Sequence, residues 1–275
     1  MLLQEEHSVS GIILPHSGVE EIPIPLLPAT ITEIIRSRPQ HLNTIDRLIS
    51  KSLMLLGESR LLGFTGERHI QTGDPFILVA NHSQMSEAVL LPIWLAYLRQ
   101  GRLIHFMADW NFRLIPVVST ILRRGRTIPV ALKPARPKFF NRFKQKIVGE
   151  VHGFELAKQH LDEGKSIGIF PEGTINPNPK ILLRGHLGAA KLSLATGAPL
   201  IPLGIRFPHH DPSNPISFRS KMEIEIGAPI HPPQSEKKQV FRDNDINSLH
   251  SVMMQHLADL SHKHWNPFTS RRTKL

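Results

Sequence analysis

Apolar residues along this chain fall into short unbroken runs separated by stretches of helical spacing. The run 76–80, Phe76-Ile77-Leu78-Val79-Ala80, lies between Pro75 and Asn81 and has the pattern of a strand buried on both faces. The runs at 167–170 and 199–205 read the same way. Residues 61–70 predict a strand joined through the turn 71–75 to the run at 76, as a hairpin or adjacent pair. Further strands are expected at 103–108, 127–131 and 222–226, and helices at 86–99, up to Leu122, over 156–161, 186–196 and 244–264. Phe139, Phe143, Ile147 and Phe154 recur along one helical line, and Gly164 is a stop signal. This alternation predicts a layered α/β fold whose working loops share one edge of the sheet.

The N-terminal part is different. Residues 1–28 hold Pro15, Pro23, Pro25 and Pro28 with little periodicity and read as an extended arm. Residues 29–60 read as a pair of amphipathic helices, with Ile31, Ile34 and Ile35 before Pro39 and Leu42, Ile45, Leu48, Ile49, Ser52 and Leu56 after it. That stripe can dock on the body or lie in a lipid interface, and docking is the commoner fate. Residues 61–275 form the main α/β domain, with the motifs within 61–229.

Composition removes several chemistries. The 275 residues contain no cysteine, which excludes disulfides, thiolate metal sites and a cysteine nucleophile. The central charge-free apolar run, 88–98, is far shorter than the ~20 residues a helix needs to span a bilayer. With no basic leader and apolar core at the start, the expectation is a cytoplasmic protein, peripheral on the membrane, without a transmembrane helix. The net charge of +10 is concentrated: residues 99–150 hold twelve Lys/Arg against two Asp/Glu. Nine of those basic residues lie between Arg123 and Lys146, beside Phe139, Phe140 and Phe143. Such a face attracts lipid headgroups, an acidic protein or nucleic acid, although no nucleic-acid motif accompanies it.

Two string matches fail on context. Gly164-Lys165-Ser166-Ile167-Gly168 spells a hydrolase elbow, but helix precedes and strand follows, the reverse of what an elbow requires. The same Gly-Lys-Ser lacks the first glycine of a P-loop, where Gln159 stands. His209-His210-Asp211 is the densest histidine cluster among sixteen, but no His-Glu-x-x-His occurs, and no metal is expected.

Two strand exits carry candidate chemistry. In Asn81-His82-Ser83-Gln84-Met85-Ser86-Glu87 an imidazole precedes a carboxylate by five positions, and a carboxylate can hold a histidine in the tautomer that a general base needs. The second exit is Phe170-Pro171-Glu172-Gly173-Thr174, followed by Ala198-Pro199-Leu200-Ile201-Pro202-Leu203. In this order the blocks resemble the glycerophosphate and lysophosphatidate acyltransferase (PlsC-like) family over about 61–229.

The resemblance implies a PlsC-like fold, a layered mixed β-sheet flanked by helices. It implies a transferase of phospholipid biosynthesis that moves a fatty acyl group from acyl-CoA or acyl carrier protein, as co-substrate and without a cofactor, to a hydroxyl of lysophosphatidate, glycerol 3-phosphate or a related lysolipid. His82 falls where the family has its base and Glu87 where it has the orienting acid. Asn81, Ser83, Phe170, Pro171, Glu172, Gly173 and Thr174 would line the acceptor site, with Glu172 accepting hydrogen bonds from hydroxyls or bracing a basic residue. Arg184, before Gly185, could hold a phosphate.

Two departures are visible. The family's acid is normally aspartate, and Glu87 is longer by one methylene. In Gly125-Arg126-Thr127-Ile128-Pro129-Val130-Ala131, alanine stands where the family has a phosphate-binding arginine, leaving Arg126 or Lys133 as substitutes or an acceptor without phosphate, such as an acyl amino acid. The rival reading is a decayed site on a lipid-binding scaffold.

Overall fold

A computed structural model describes residues 27–70, 73–131, 133–135, 137–149, 151–233 and 242–269. Nearly all of the expected arm, 1–28, and the basic C-terminal tail lie outside the described residues. Seven strands form one mixed sheet: β1 (Leu61–Thr65), β2 (Ile77–Ala80), β3 (His105–Asp109), β4 (Ile128–Val130), β5 (Ile167–Ile169), β6 (Leu200–Arg206) and β7 (Met222–Ile226). Their order is β1-β7-β6-β2-β5-β3-β4. Strands β2 to β6 run parallel, β7 is antiparallel to β6, and β1 is parallel to β7.

The helices are α1 (Ile31–Arg36), α2 (Thr44–Gly57), α3 (Glu87–Leu98), α4 (Pro116–Arg124), α5 (Lys144–Val148), α6 (Gly153–Asp162), α7 (Gly188–Thr196) and α8 (Asp243–Ser261). Side-chain alternation along β2 separates two cores. Leu78 and Ala80 face Met54 of α2 and Leu91, Trp94 and Leu95 of α3. Ile77 and Val79 face Ala157 and Leu161 of α6, Ala189 and Ala190 of α7, and Met253 and Leu257 of α8. The result is three layers with β2 at the centre, which explains why its four residues are all apolar and fully buried.

Several expectations are corrected. Strand β1 does not pair with β2; it lies at the sheet's far edge against β7, Leu61 opposite Met222. The chain from β1 to β2 therefore passes two strands instead of closing a hairpin, and a 3₁₀ segment Glu67–Ile70 replaces the second half of the expected strand; the expected turn falls partly outside the described residues. The line of phenylalanines at 139–154 is not one helix, because Gly149 at φ 77 separates α5 from α6. The terminal helix ends at Ser261, with His262 left-handed at φ 54.

The helix pair forms as expected. A Thr30–Glu33 capping box starts α1 and Asn43 caps α2, satisfying amide groups that a helix start leaves free. Docking is only partial: Ile34, Leu42 and Met54 are buried, whereas Ile31, Ile35, Ile45, Leu48 and Leu56 are all more than half exposed.

Helix α8 lies across β6 in close contact. A Cβ on Gly204 would come within 2.3 Å of the Leu260 backbone, so only glycine allows the approach. This contact fixes where the chain emerges after α8, close to the sheet edge that carries His82.

Candidate active site

Strands β2, β5, β3 and β4 are parallel, so their C-terminal ends share one edge, where the order of connections also reverses around β2. Strand β2 ends there because Asn81 uses its side chain as backbone. Its Nδ2 donates to the Ile205 carbonyl at 2.9 Å and its Oδ1 accepts from the Ile205 amide at 2.7 Å. Asn81 is fully buried and engaged in this way, so it holds the loop rather than facing an open site.

The loop then delivers His82 against Glu87, the first residue of α3. Glu87 Oε2 accepts from the Ser83 amide at 2.7 Å and lies 2.8 Å from His82 Nδ1. The extra methylene is accommodated by placing the carboxylate under the loop, fully buried, where one oxygen serves two partners. The His82 ring stacks on Phe170 at the exit of β5, with centroids 4.3 Å apart and planes 23° apart. Phe170 also leans on Phe106 of β3. One ring face is thereby covered and the ring orientation fixed.

Glu172 belongs to the scaffold of the site. Its Oε1 accepts from the His82 amide at 3.2 Å, and its Oε2 accepts from Asn176 Nδ2 at 2.7 Å and the Leu183 amide at 2.9 Å. Burial pushes its carboxyl above the ordinary glutamate value, opposed by the Leu183 amide, the Lys263 ammonium, Asn176 and the His82 amide. With those acceptors engaged, Glu172 braces the two strand exits against each other, and the Asn176 amide adds a 2.7 Å bond to the His82 carbonyl. Gly173 is left-handed at φ 66, and a Cβ there would meet the His186 ring at 2.7 Å. Pro171 is buried and its carbonyl accepts from the His186 amide at 2.8 Å; Thr174 is half-buried in the same turn.

The candidate cations are placed unequally. Arg126 precedes β4, at the end of the strand opposite to the one that carries His82, so it does not stand in for the arginine missing at Ala131. Lys133 follows β4 on the same edge as His82 and is exposed. Arg184 is exposed on the loop before α7, and its carbonyl accepts from His250 Nε2 and Trp265 Nε1. His210 and Asp211 are occupied in a surface turn with Asn214 and Ser213. Among the described residues no group of three or more His, Cys, Asp or Glu side chains is placed to hold a metal.

Sequence reasoning missed two residues. Asn176 sits in a proline-rich loop that reads as a spacer, although its place two residues after Thr174 was a usable signal. Lys263 carried no signal. It is 6% exposed, and its Nζ donates to Ser83 Oγ at 2.8 Å and the Asn178 carbonyl at 2.7 Å.

A model of the acyltransferase family matches residues 62–206, more than half of the chain and both strand exits. This chain belongs to that family. The acyltransferase is 21% identical over 188 residues to 1-acyl-sn-glycerol-3-phosphate acyltransferase of Bacillus subtilis (strain 168), a match covering 68% of this chain and 82% of the relative. Its fold is similar to the crystal structure of the 1-acyl-sn-glycerophosphate (LPA) acyltransferase PlsC from Thermotoga maritima, with a TM-score of 0.50 and 18% identity over 82% of this chain and 87% of the other. The protein is therefore an acyltransferase enzyme of the PlsC-like type. No helix among the described residues of the acyltransferase is long and apolar enough to cross a membrane.

Proposed function

We propose that this enzyme moves a fatty acyl group from the thioester of acyl-CoA or acyl carrier protein to the hydroxyl of lysophosphatidate, glycerol 3-phosphate or a related lysolipid, with His82 as general base. The observation that carries the reading is the 2.8 Å contact of His82 Nδ1 with Glu87 Oε2. A carboxylate only accepts, so the ring proton sits on Nδ1 and Nε2 presents its lone pair. The acceptor hydroxyl gives its proton to Nε2 as its oxygen attacks the thioester carbonyl carbon. When the tetrahedral adduct collapses, the C–S bond breaks and the thiolate takes the proton from His82. An ester and a thiol result, with no acyl-enzyme and no resident cofactor.

The donor's acyl chain has a candidate berth. An apolar groove, open to solvent, lies between α2, α3 and α4, lined by Ile49, Leu53, Val89, Ile93 and Ile121 and by Ala88, the neighbour of Glu87 in sequence. Attachment to a membrane surface is supported by the outward apolar residues of α1 and α2 and by exposed Phe139 and Phe143 with Arg142 across both rings. A lysophosphatidate acceptor is favoured by the names of the relatives in Bacillus subtilis and Thermotoga maritima.

The test is thiol release from palmitoyl-CoA and from palmitoyl carrier protein, with glycerol 3-phosphate, lysophosphatidate and a phosphate-free lysolipid or acyl amino acid in parallel. Acceptor-dependent release should fall at least about 100-fold in a folded His82→Ala variant. Retained turnover in that variant refutes the mechanism.

A further inference from the structure

We propose that Lys263 is a positioning residue of this site, an ammonium that ties the His82 loop to the Asn178 loop and supplies the positive charge that balances Glu87 and Glu172. The inference rests on the proposed role of His82. Lys263 lies beyond the matched region 62–206 and follows α8 in sequence.

The first argument is mechanical. Segment 262–265 forms a strap along the loop after β5. The His264 amide donates to the Lys180 carbonyl at 2.7 Å, the Leu182 amide donates to the His264 carbonyl at 2.9 Å, and Trp265 Nε1 reaches the Arg184 carbonyl. Lys263 extends from this strap to the other exit, where it bonds the side chain of Ser83, the residue next to His82 whose amide donates to Glu87. The left-handed turn at His262 and the close packing of α8 on Gly204 aim it there.

The second argument is charge. The titratable groups gathered here are His82 from the loop after β2, Glu87 from α3, Glu172 from the loop after β5, Lys263 from the strap and His186 beside Gly173. Two buried carboxylates with no cation would be costly to hold ionised. Burial pulls Lys263 below the ordinary lysine value, opposed by Glu172 and Glu87. With both carboxylates ionised and Lys263 charged, the cluster carries one net negative charge while His82 is neutral. Proton uptake by His82 then makes it neutral. Lys263 thus sets how strongly the surroundings favour protonated His82, which must both take and return a proton.

The experiment compares the full chain as wild type, Lys263→Met, Lys263→Gln and Lys263→Arg. In the Met variant kcat should fall about tenfold or more while KM for the acyl thioester changes little, because the Lys263 ammonium is buried and committed to Ser83 and Asn178. The acid limb of its kcat/KM profile should move up by roughly one pH unit, since a nearby positive charge is gone. Lys263→Arg should return the limb toward wild type. Should Met not fold, Gln keeps a hydrogen-bond donor without the charge and should show the same displacement. The His82 ring resonance, identified by its loss in His82→Ala, is followed against pH in the same proteins, and its midpoint should rise in Met and Gln. This readout needs no turnover, so absent activity in wild type would fail the acyl-transfer reading while the ring titration still decides on Lys263. An unmoved limb and midpoint in a folded neutral variant, or an Arg variant displaced as far as Met, would overturn the proposal.

Discussion

Replacing Glu87 by glutamine tests the central geometry most sharply, because it keeps shape and removes one charge. Glu87 Oε2 serves the His82 Nδ1 and the Ser83 amide at once. Glutamine can place its amide oxygen where Oε2 stands and still accept from both the Ser83 amide and Nδ1, so the tautomer is kept. What is lost is charge: the imidazolium formed in the reaction no longer has its counter-ion. For charges about 4 Å apart at an effective dielectric near 20, that interaction is worth about 4 kcal/mol, or roughly 10³ in rate. The pair is well shielded, with side-chain exposures of 12% for His82 and 0% for Glu87, so solvent screening removes little of it. Thiol release under saturating acyl-CoA and acceptor should therefore show kcat down by roughly 10³ with little change in KM, in a variant whose thermal unfolding matches wild type. A Glu87→Gln enzyme within tenfold of wild type would mean that the Glu87 charge does not stabilise the imidazolium.

Asn81→Ala should destabilise the fold by about 2 kcal/mol or more, since it strands the buried amide and carbonyl of Ile205, a loss that urea unfolding reads directly. His105 is pulled below the ordinary histidine value by burial, against its hydrogen bond to the Arg126 carbonyl. The folded state therefore binds fewer protons here than the unfolded chain, and the stability this site contributes is present above about pH 6.5 and lost as pH falls through the folded value. His105→Asn should flatten the decline of the urea midpoint below pH 6.5, and an unchanged slope would exclude the site as its source. Leu48→Glu with Leu56→Glu should weaken sedimentation with anionic phospholipid vesicles while leaving the melting temperature unchanged, because both side chains face solvent.

What could be read from the sequence was local. His82 and Glu87 lie five residues apart across one strand exit, and β2 announces itself because burial on both faces demands four apolar residues in a row. The contacts that escaped are long-range. The pairing of Leu61 with Met222 leaves no trace near either residue, so a turn-rich segment after β1 reads as a hairpin. The stripe on α2 has helical spacing whether it docks or faces outward, and only tertiary packing shows that Leu48 and Leu56 are outside and Met54 inside. Lys263 and Ser83 meet across 180 positions, and a lysine after a C-terminal helix looks like any solvated charge.

The crossing of α8 over Gly204 means that the recognisable part of this chain is not a self-sufficient unit. A fragment ending at Arg206 would keep every motif, yet it would lack β7, whose strand order separates β1 from β6, and the segment that closes the loop bearing Glu172. Its two buried carboxylates, Glu87 and Glu172, would be left without Lys263. Grafting the motif block into another protein would therefore transplant a signature without its keystone, and truncations from the C-terminal side should lose the assembled site before they lose a single motif residue.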